Sequence, residues 1–452
     1  KVPHREKYFT QNLDHFNFNP QSYKTFQQRY LINDTYWRGK KDESPIFVFL
    51  GHGDGIKDVA ADAGLLYDIA PTFNALIVYI EHRYFGKSIP FGSLKHAYKN
   101  ASTLGYLSAS QALADTAVLI RSLKANLSTT GSPVVVFGGS YGGILATWFR
   151  LKYPHVALGA LASSAPVLLF DNLVSPYKIT DIVTQDYKSV SKSCYSTIKN
   201  SWEEIKKTGR RKGGRDQLTK KLRICKNKMS TEIIVEKVFG LLETMLLFSA
   251  ISDYPVSTSI HASLPAHPVK KICNAIDHPK LGKDTLSRLY GAMNLFYNST
   301  GQEKCLSIKS DSQNGSATYG WDFQGCTELI QPPVRNSIDS LFLVRISTKP
   351  LIGDAQSSRI KPRPNWITTE FGGQDFKKVL KKFGSNIIFS NGLRDPLSAG
   401  SIVKSISKSI VAVTMEEGAH NGDLFFATKE DPEWLQNARK REMKIIKRWL
   451  EQ

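Results

Sequence analysis

Apolar and polar positions along the chain fall into two regimes. Before about residue 166, short apolar runs alternate with stretches of helical periodicity. Residues 1–44 are polar and aromatic, with Phe9, Phe16, Phe18 and Tyr30, and predict strands and turns wrapped around a core. Ile46–Leu50 is an unbroken apolar run that predicts a buried strand, and it enters the Gly-rich loop 51–55. Residues 75–81 predict another strand. Residues 109–125 carry Leu113, Ala117, Leu119, Ile120 and Leu123 at helical spacing. Residues 134–138 form an apolar, β-branched strand. Ile144, Leu145, Trp148 and Leu151 then recur at helical spacing up to Pro154, and 157–165 is a strand of small residues. Strands alternating with helices in this order predict a mostly parallel sheet covered by helices, the α/β class.

The pattern changes after Pro166. Residues 171–380 contain every cysteine, the densest basic run and amphipathic segments such as 233–250, and predict a large, mostly helical inserted domain. Strand signals return at 386–390 and Ile410–Met415, and a helix over 432–450 ends the chain. The expected division is therefore a first part of the sheet domain at 1–170, an insertion at 171–380 and a second sheet part at 381–452. No internal repeat or low-complexity tract interrupts it.

A chain of 452 residues is long enough for two domains. No apolar run is long enough to span a membrane. The first residues are polar, without the apolar run of a leader peptide, as in a mature secreted chain. Five sequons, at Asn33, Asn100, Asn126, Asn298 and Asn314, together with five cysteines, favour the secretory route. Cys194, Cys225, Cys273, Cys305 and Cys326 lack the paired spacing of a zinc site, so two disulfides and one remaining thiol are the simplest reading. The net charge is +20, and residues 206–228 are the most basic stretch. No helix-turn-helix, RNP or zinc-finger pattern accompanies that charge, so no nucleic-acid partner is expected.

The candidate chemistry sits where strand 134–138 meets its helix. Gly138-Gly-Ser-Tyr-Gly142 fits G-x-S-x-G, the tight turn that raises a nucleophilic serine between strand and helix. An activated Ser140 needs a base, and the base needs an orienting acid, in the chain order serine, acid, histidine. His420, in the loop after Ile410–Met415, is the only histidine beyond residue 278. Asp395 follows the preceding strand in Asn391-Gly-Leu-Arg-Asp-Pro396. For the oxyanion, one N–H is expected from Tyr141 and another from the loop Gly51-His52-Gly53. His52 has no neighbour at metal-ligand spacing, its side chain is expected to matter little, and no metal or cofactor is expected.

These residues carry a family resemblance. The chain resembles serine peptidases of the Pro-X carboxypeptidase and dipeptidyl peptidase II type. The matching stretches are Phe9-Thr-Gln-Asn-Leu-Asp-His-Phe16, Glu81-His-Arg-Tyr-Phe-Gly86, Gly138–Gly143, Ala162-Ser-Ser-Ala-Pro166, Pro362-Arg-Pro-Asn-Trp-Ile-Thr-Thr369, Asn391-Gly392 with Asp395-Pro396, and Gly418-Ala-His420. The resemblance implies an α/β-hydrolase fold whose helical insertion covers the active site, and a homodimer. It implies hydrolysis of peptides beside proline at acidic pH, in lysosomes, vacuoles or outside cells. It assigns Ser140, Asp395 and His420 as the triad, and pairs Cys194 with Cys273 and Cys225 with Cys305, leaving Cys326 unpaired. The chain also departs from the family pattern. Leu397 stands where Trp is common, Ile144 and Gln331 where Met is common, and Asn421 where a second histidine is common. The early loop reads Gly-His-Gly rather than Gly-Asn-Glu-Gly, and the resemblance fades between 334 and 361. Ile144, Gln331 and Leu397 are expected to line the proline pocket and to weaken its discrimination. Release of a C-terminal residue after proline leads, with release of N-terminal X-Pro, esterase activity and a non-catalytic binding role as alternatives.

Overall fold

The computed structural model describes residues 3–258, 263–281, 284–308, 316–331, 334–343, 361–372 and 375–452. Its centre is an eight-stranded sheet: β1 (Arg5–Asn12), β2 (Thr25–Asn33), β3 (Ile46–Leu50), β4 (Leu76–Ile80), β5 (Val134–Gly139), β6 (Gly159–Ser163), β7 (Ile387–Gly392) and β8 (Ile410–Met415). The spatial order is β1-β2-β4-β3-β5-β6-β7-β8. β1 and β2 pair antiparallel, β2 and β4 likewise, and every other neighbour is parallel. The apolar runs of β3, β4 and β5 read as they do because helices cover both faces and bury every position. Val48, Val134 and Val136 face the helices Ala109–Asn126 and Tyr141–Lys152. Phe47, Phe49, Val135 and Phe137 face Ile56–Asp62, Leu65–Phe73 and Glu433–Leu450. This is the α/β-hydrolase fold, with the candidate nucleophile at the end of β5.

A second apolar core is built entirely from residues between Val183 and Phe342. The helices Lys178–Val190, Lys192–Arg210, Thr231–Ile251, Pro268–Ile276 and Thr285–Tyr297 contribute to it. Ser191 and Ser230 cap the second and third of these by accepting from the N–H three residues on. Both disulfides implied by the resemblance lie here, Cys194–Cys273 and Cys225–Cys305. Cys326 is buried and belongs to neither. Residues beyond 361 leave this body: Ile367, Phe371, Phe376 and Leu380 join the sheet's core, and Phe371 stacks on Trp148 at 4.0 Å. Among the described residues no helix is long and apolar enough to cross a membrane.

The sequons are placed unequally. Asn100 and Asn126 are exposed, and Asn298 is half-buried with Nδ2 donating to Asn294 and to the Glu303 carbonyl. Asn33 corrects the sequence reading. It is buried within β2 and its Nδ2 donates to the Pro3 carbonyl, which leaves no room for a glycan. Asn314 lies outside the described residues.

Candidate active site

The turn after β5 explains its own glycines. A Cβ at Gly138 would lie 2.1 Å from the Gly142 carbonyl oxygen, and one at Gly142 would lie 2.6 Å from that of Leu50. Only bare backbone lets the strand, the turn and the helix Tyr141–Lys152 approach this closely. Ser140 pays with strain: its φ of 56° and ψ of −125° are a conformation that side chains rarely adopt. That geometry lifts the half-buried Ser140 above the sheet, at the start of a helix whose first N–H groups have no intrahelical partner. Tyr141 is the first residue of that helix.

Asp395 and His420 come from the two loops beyond β7 and β8, fully buried and nearly so. Asp395 Oδ2 lies 2.7 Å from His420 Nδ1, and Asp395 Oδ1 accepts from Leu397 N at 2.9 Å. With Nδ1–H directed at the carboxylate, Nε2 is the basic nitrogen of the ring. Ser140 and His420 line one cavity of about 400 Å³, with His52, Asp54, Asp58, Asp62, Tyr254, Trp321, Asn421 and Phe425 among its walls. Burial and the neighbouring Asp58 raise the Asp62 carboxyl. His52 does take part in this wall, with Nδ1 3.3 Å from Asp54 Oδ2. Gly51 does not: its N–H donates to the Ile80 carbonyl at 2.9 Å, so it is removed from the expected oxyanion donors, leaving His52 and Gly53 in that loop.

A second cavity of about 270 Å³ also borders Ser140. Ile144, Gln331 and Leu397, the three positions read as pocket lining, all border it, together with Tyr141, Pro166, Phe170, Trp321, Gly325 and Leu329. The sequence reading missed Trp321 and Tyr254, because each comes from the inserted segment and reaches the site only through tertiary packing. Trp321 packs edge-on against Tyr141 at 5.1 Å and occupies the space that a Cβ on Gly53 would need. Tyr141 and Trp321 thus border both cavities.

Behind Tyr141 runs a buried polar chain. His82 Nδ1–H donates to the Arg83 carbonyl at 2.7 Å, so its Nε2 accepts from Tyr141 Oη at 3.4 Å. Gln324 Nε2 donates to Tyr141 Oη at 3.0 Å and to Glu328 Oε1 at 3.2 Å, and the same oxygen accepts from Ala109 N at 2.8 Å. Burial pushes Glu328 up to about 7 and His82 down to about 4. Burial also raises Asp186 to about 8, and it raises Asp423 and Glu442.

These shifts set a pH dependence of stability. A buried carboxyl with a raised folded-state pKa stabilises fully below its unfolded value, and the contribution is lost as pH rises through the folded value. For Glu328 that window runs from about 4.5 to about 7, and for Asp186 up to about 8. His82 acts oppositely: the unfolded chain gains its proton below about 6.5 while the folded chain stays neutral until about 4. Thermal melts should therefore give the highest Tm at mildly acidic pH and a clear decline toward pH 8. Glu328→Gln should flatten the decline between pH 5 and pH 7, removing a contribution on the order of 3 kcal/mol. An unchanged slope in that variant would show that Glu328 does not carry it.

Comparison with known proteins places the chain in a family. Residues 11–442 match the family described as Serine carboxypeptidase S28. The Lysosomal Pro-X carboxypeptidase of Homo sapiens is 38% identical over 447 residues, covering 98% of this chain and 88% of the relative. That of Mus musculus is 35% identical over 453 residues, with the same coverage of both chains. Prolyl carboxy peptidase like protein 5 of Caenorhabditis elegans is 33% identical over 476 residues, covering all of this chain and 91% of the relative. A family match across nearly the whole chain, on an α/β-hydrolase sheet with its serine at the strand–helix elbow, leads to one conclusion: the chain belongs to the Serine carboxypeptidase S28 family and is a serine-type carboxypeptidase.

Proposed function

We propose that the protein hydrolyses peptides on the carboxyl side of proline through an acyl-enzyme, releasing a C-terminal residue. The observation that carries this reading is the position of Ser140 between two cavities, one holding His420 and the other apolar and compact. Proline's ring suits the second, between Ile144, Phe170, Trp321 and Leu397. Ser140 Oγ attacks the proline carbonyl carbon while His420 Nε2 takes its proton and Asp395 holds the imidazolium. The Tyr141 N–H and the His52–Gly53 amides stabilise the oxyanion. His420 then gives its proton to the leaving amine, and water hydrolyses the ester by the same steps in reverse order. Against the expected boundary at 380, we take the insertion to end before residue 366, since Ile367, Phe371, Phe376 and Leu380 pack with the sheet. The names of the relatives support a lysosomal site of action, the secretory route accords with the two disulfides, and a second copy of the chain is the expected oligomeric partner.

A second reading has its own observation. Asp54, Asp58 and Asp62 border the His420 cavity, and three carboxylates there attract an amine better than a carboxylate. That favours release of N-terminal X-Pro. Paired peptides decide: one with a blocked N-terminus and free C-terminal residue after proline, the other with a free N-terminus and an amide leaving group. Hydrolysis of the first alone supports the carboxypeptidase reading, and of the second alone the dipeptidyl reading. Turnover of simple esters without either would mark an esterase.

Leu397→Trp is a test of the pocket. Leucine leaves ring surface uncovered that an indole would supply, and a wall of this kind is worth about 1–3 kcal/mol of discrimination. The ratio of kcat/KM for peptides with proline or alanine before the scissile bond should rise about 10-fold or more in the variant. A ratio that does not move would place the proline ring elsewhere.

A further inference from the structure

The inserted helical body grips both loops that carry the candidate acid and base, and it does so through contacts that a simple cover would not need. His420 donates its backbone N–H to the Ile251 carbonyl at 3.1 Å, and its own carbonyl accepts from Tyr254 Oη at 2.8 Å. Ile251 ends the long helix Thr231–Ile251, and Tyr254 follows it by one turn. The peptide units on both sides of the His420 side chain are therefore fixed by the insertion rather than by the sheet. On the acid's side, Arg394 immediately precedes Asp395. Its Nη2 donates to Asp253 Oδ2 at 2.8 Å, its Nη1 to Glu417 Oε2 at 3.2 Å, and its Nε lies 3.7 Å from Asp186 Oδ1. Asp253 and Asp186 belong to the insertion and are almost completely buried, whereas Glu417 is exposed in the loop that leads to His420. Asp253 is in turn fixed by accepting from Val269 N at 3.1 Å. One guanidinium thus links two insertion carboxylates, the acid loop and the base loop.

We propose that Arg394 and Tyr254 are positioning residues for the hydrolytic reaction: through them the helical insertion sets the place and orientation of the His420–Asp395 pair. The proposal rests on the assignment of that pair as base and acid. Arg394 holds the Asp395 backbone against the insertion and supplies positive charge beside Asp186, Asp253, Glu417 and Asp395, with His267 also acting on Asp253. Tyr254 presents its ring to the His420 cavity and its hydroxyl to the His420 carbonyl, so Tyr254→Phe keeps the wall and deletes only the anchor.

The test uses the full chain and three variants: Arg394→Met, Arg394→Lys and Tyr254→Phe. A misplacement of about 1 Å in a catalytic group costs on the order of 100-fold. Arg394→Met should lower kcat about 10- to 100-fold with little change in KM, and Tyr254→Phe about 3- to 10-fold. Arg394→Lys, which keeps the charge, should recover part of the loss. Loss of the guanidinium beside Asp395 should also move the acid limb of the kcat/KM profile to higher pH, because the remaining carboxylates favour the protonated site. The rate of fluorophosphonate labelling at Ser140 should fall in parallel, and this reads nucleophile activation without reference to peptide specificity. Unchanged kcat, acid limb and labelling rate in folded Arg394→Met and Tyr254→Phe would overturn the proposal. So would an equal loss in Arg394→Met and Arg394→Lys with the limb unmoved. If Arg394→Met does not fold, Tyr254→Phe alone decides, on kcat and labelling rate. Absence of labelling at Ser140 in the unaltered protein would instead refute the assignment of the nucleophile.

Discussion

Ser140→Ala will abolish covalent labelling by fluorophosphonates and lower peptide turnover by about 10⁴- to 10⁶-fold, while the circular dichroism and Tm of the protein stay close to those of the parent. The size of the effect follows from the division of labour in the site. On the proposed mechanism no acyl-enzyme forms without Oγ, and what remains is stabilisation of an oxyanion by the Tyr141 and His52–Gly53 amides acting on a water attack. Alanine adopts the elbow's backbone no more easily than serine, so the strain at position 140 is unchanged and the fold has no reason to respond. His420→Ala should be nearly as damaging, because serine, histidine and acid act as a unit, and the double variant should be little worse than either single one. Losses that multiplied in the double variant would mean that Ser140 and His420 work in separate steps. Labelling that survived at another serine would displace Ser140 from its role.

Asp115→Ala should have the largest effect on stability, a loss of about 3–5 kcal/mol. Arg83 is completely buried, and all of its donors are used: Nε and Nη2 on the two oxygens of Asp115 at 2.7 and 2.6 Å, and the others on the carbonyls of Leu13, Asn12 and Tyr106. His15 Nε2 adds a third contact to Asp115 at 2.8 Å. This knot joins the chain after β1, the loop after β4 and the helix Ala109–Asn126. Removing the carboxylate leaves a guanidinium in the interior with no counter-charge. Against a usual total of about 5–15 kcal/mol, such a loss removes a large share of the stability. Urea unfolding should show a lower midpoint and a poor yield of folded protein. A midpoint within experimental error of the parent would show that solvent or a rearranged partner replaces Asp115.

The knot also shows what could and could not be read from the chain. Phe9–Phe16 and Glu81–Gly86 stand out as motifs, yet their residues are largely scaffold: Gln11 bonds Gln28 and the Asp115 carbonyl, and Glu81 binds Arg29, Ser88 and the first N–H of the helix Ile56–Asp62. Burial of charge accounts for these residues as well as catalysis would. The strands were legible because burial on both faces imposes a continuous apolar run. β3 and β8 have the expected bounds, and β5 runs one residue further. The places of Ser140, Asp395 and His420 were legible because each follows a strand end. The contacts of Tyr254, Trp321 and Arg394 were not, because their partners lie far away in sequence and no local period records them. The loop 51–53 was legible as a place but not residue by residue, since only the pairing of β3 with β4 reveals that the Gly51 N–H is already taken.

The insertion has a consequence for how the chain is made. β6 ends at Ser163, and its parallel neighbour β7 does not begin until Ile387. A ribosome adding about 5–20 residues per second needs on the order of 10–50 s to supply the missing strand. Throughout that interval the nascent sheet ends in an open apolar edge at β6, a ready template for pairing with another chain. The two disulfides interleave, since Cys225 lies inside the loop closed by Cys194 and Cys273 while its partner Cys305 lies beyond it. Neither loop is complete before the other has begun, so the helical body matures as one oxidised unit while the edge waits. Asp395 and His420 are translated after the whole of the helical body. Ser140 therefore meets Asp395 and His420 only after the helical body between them has been made, and a half-made chain lacks the candidate acid and base.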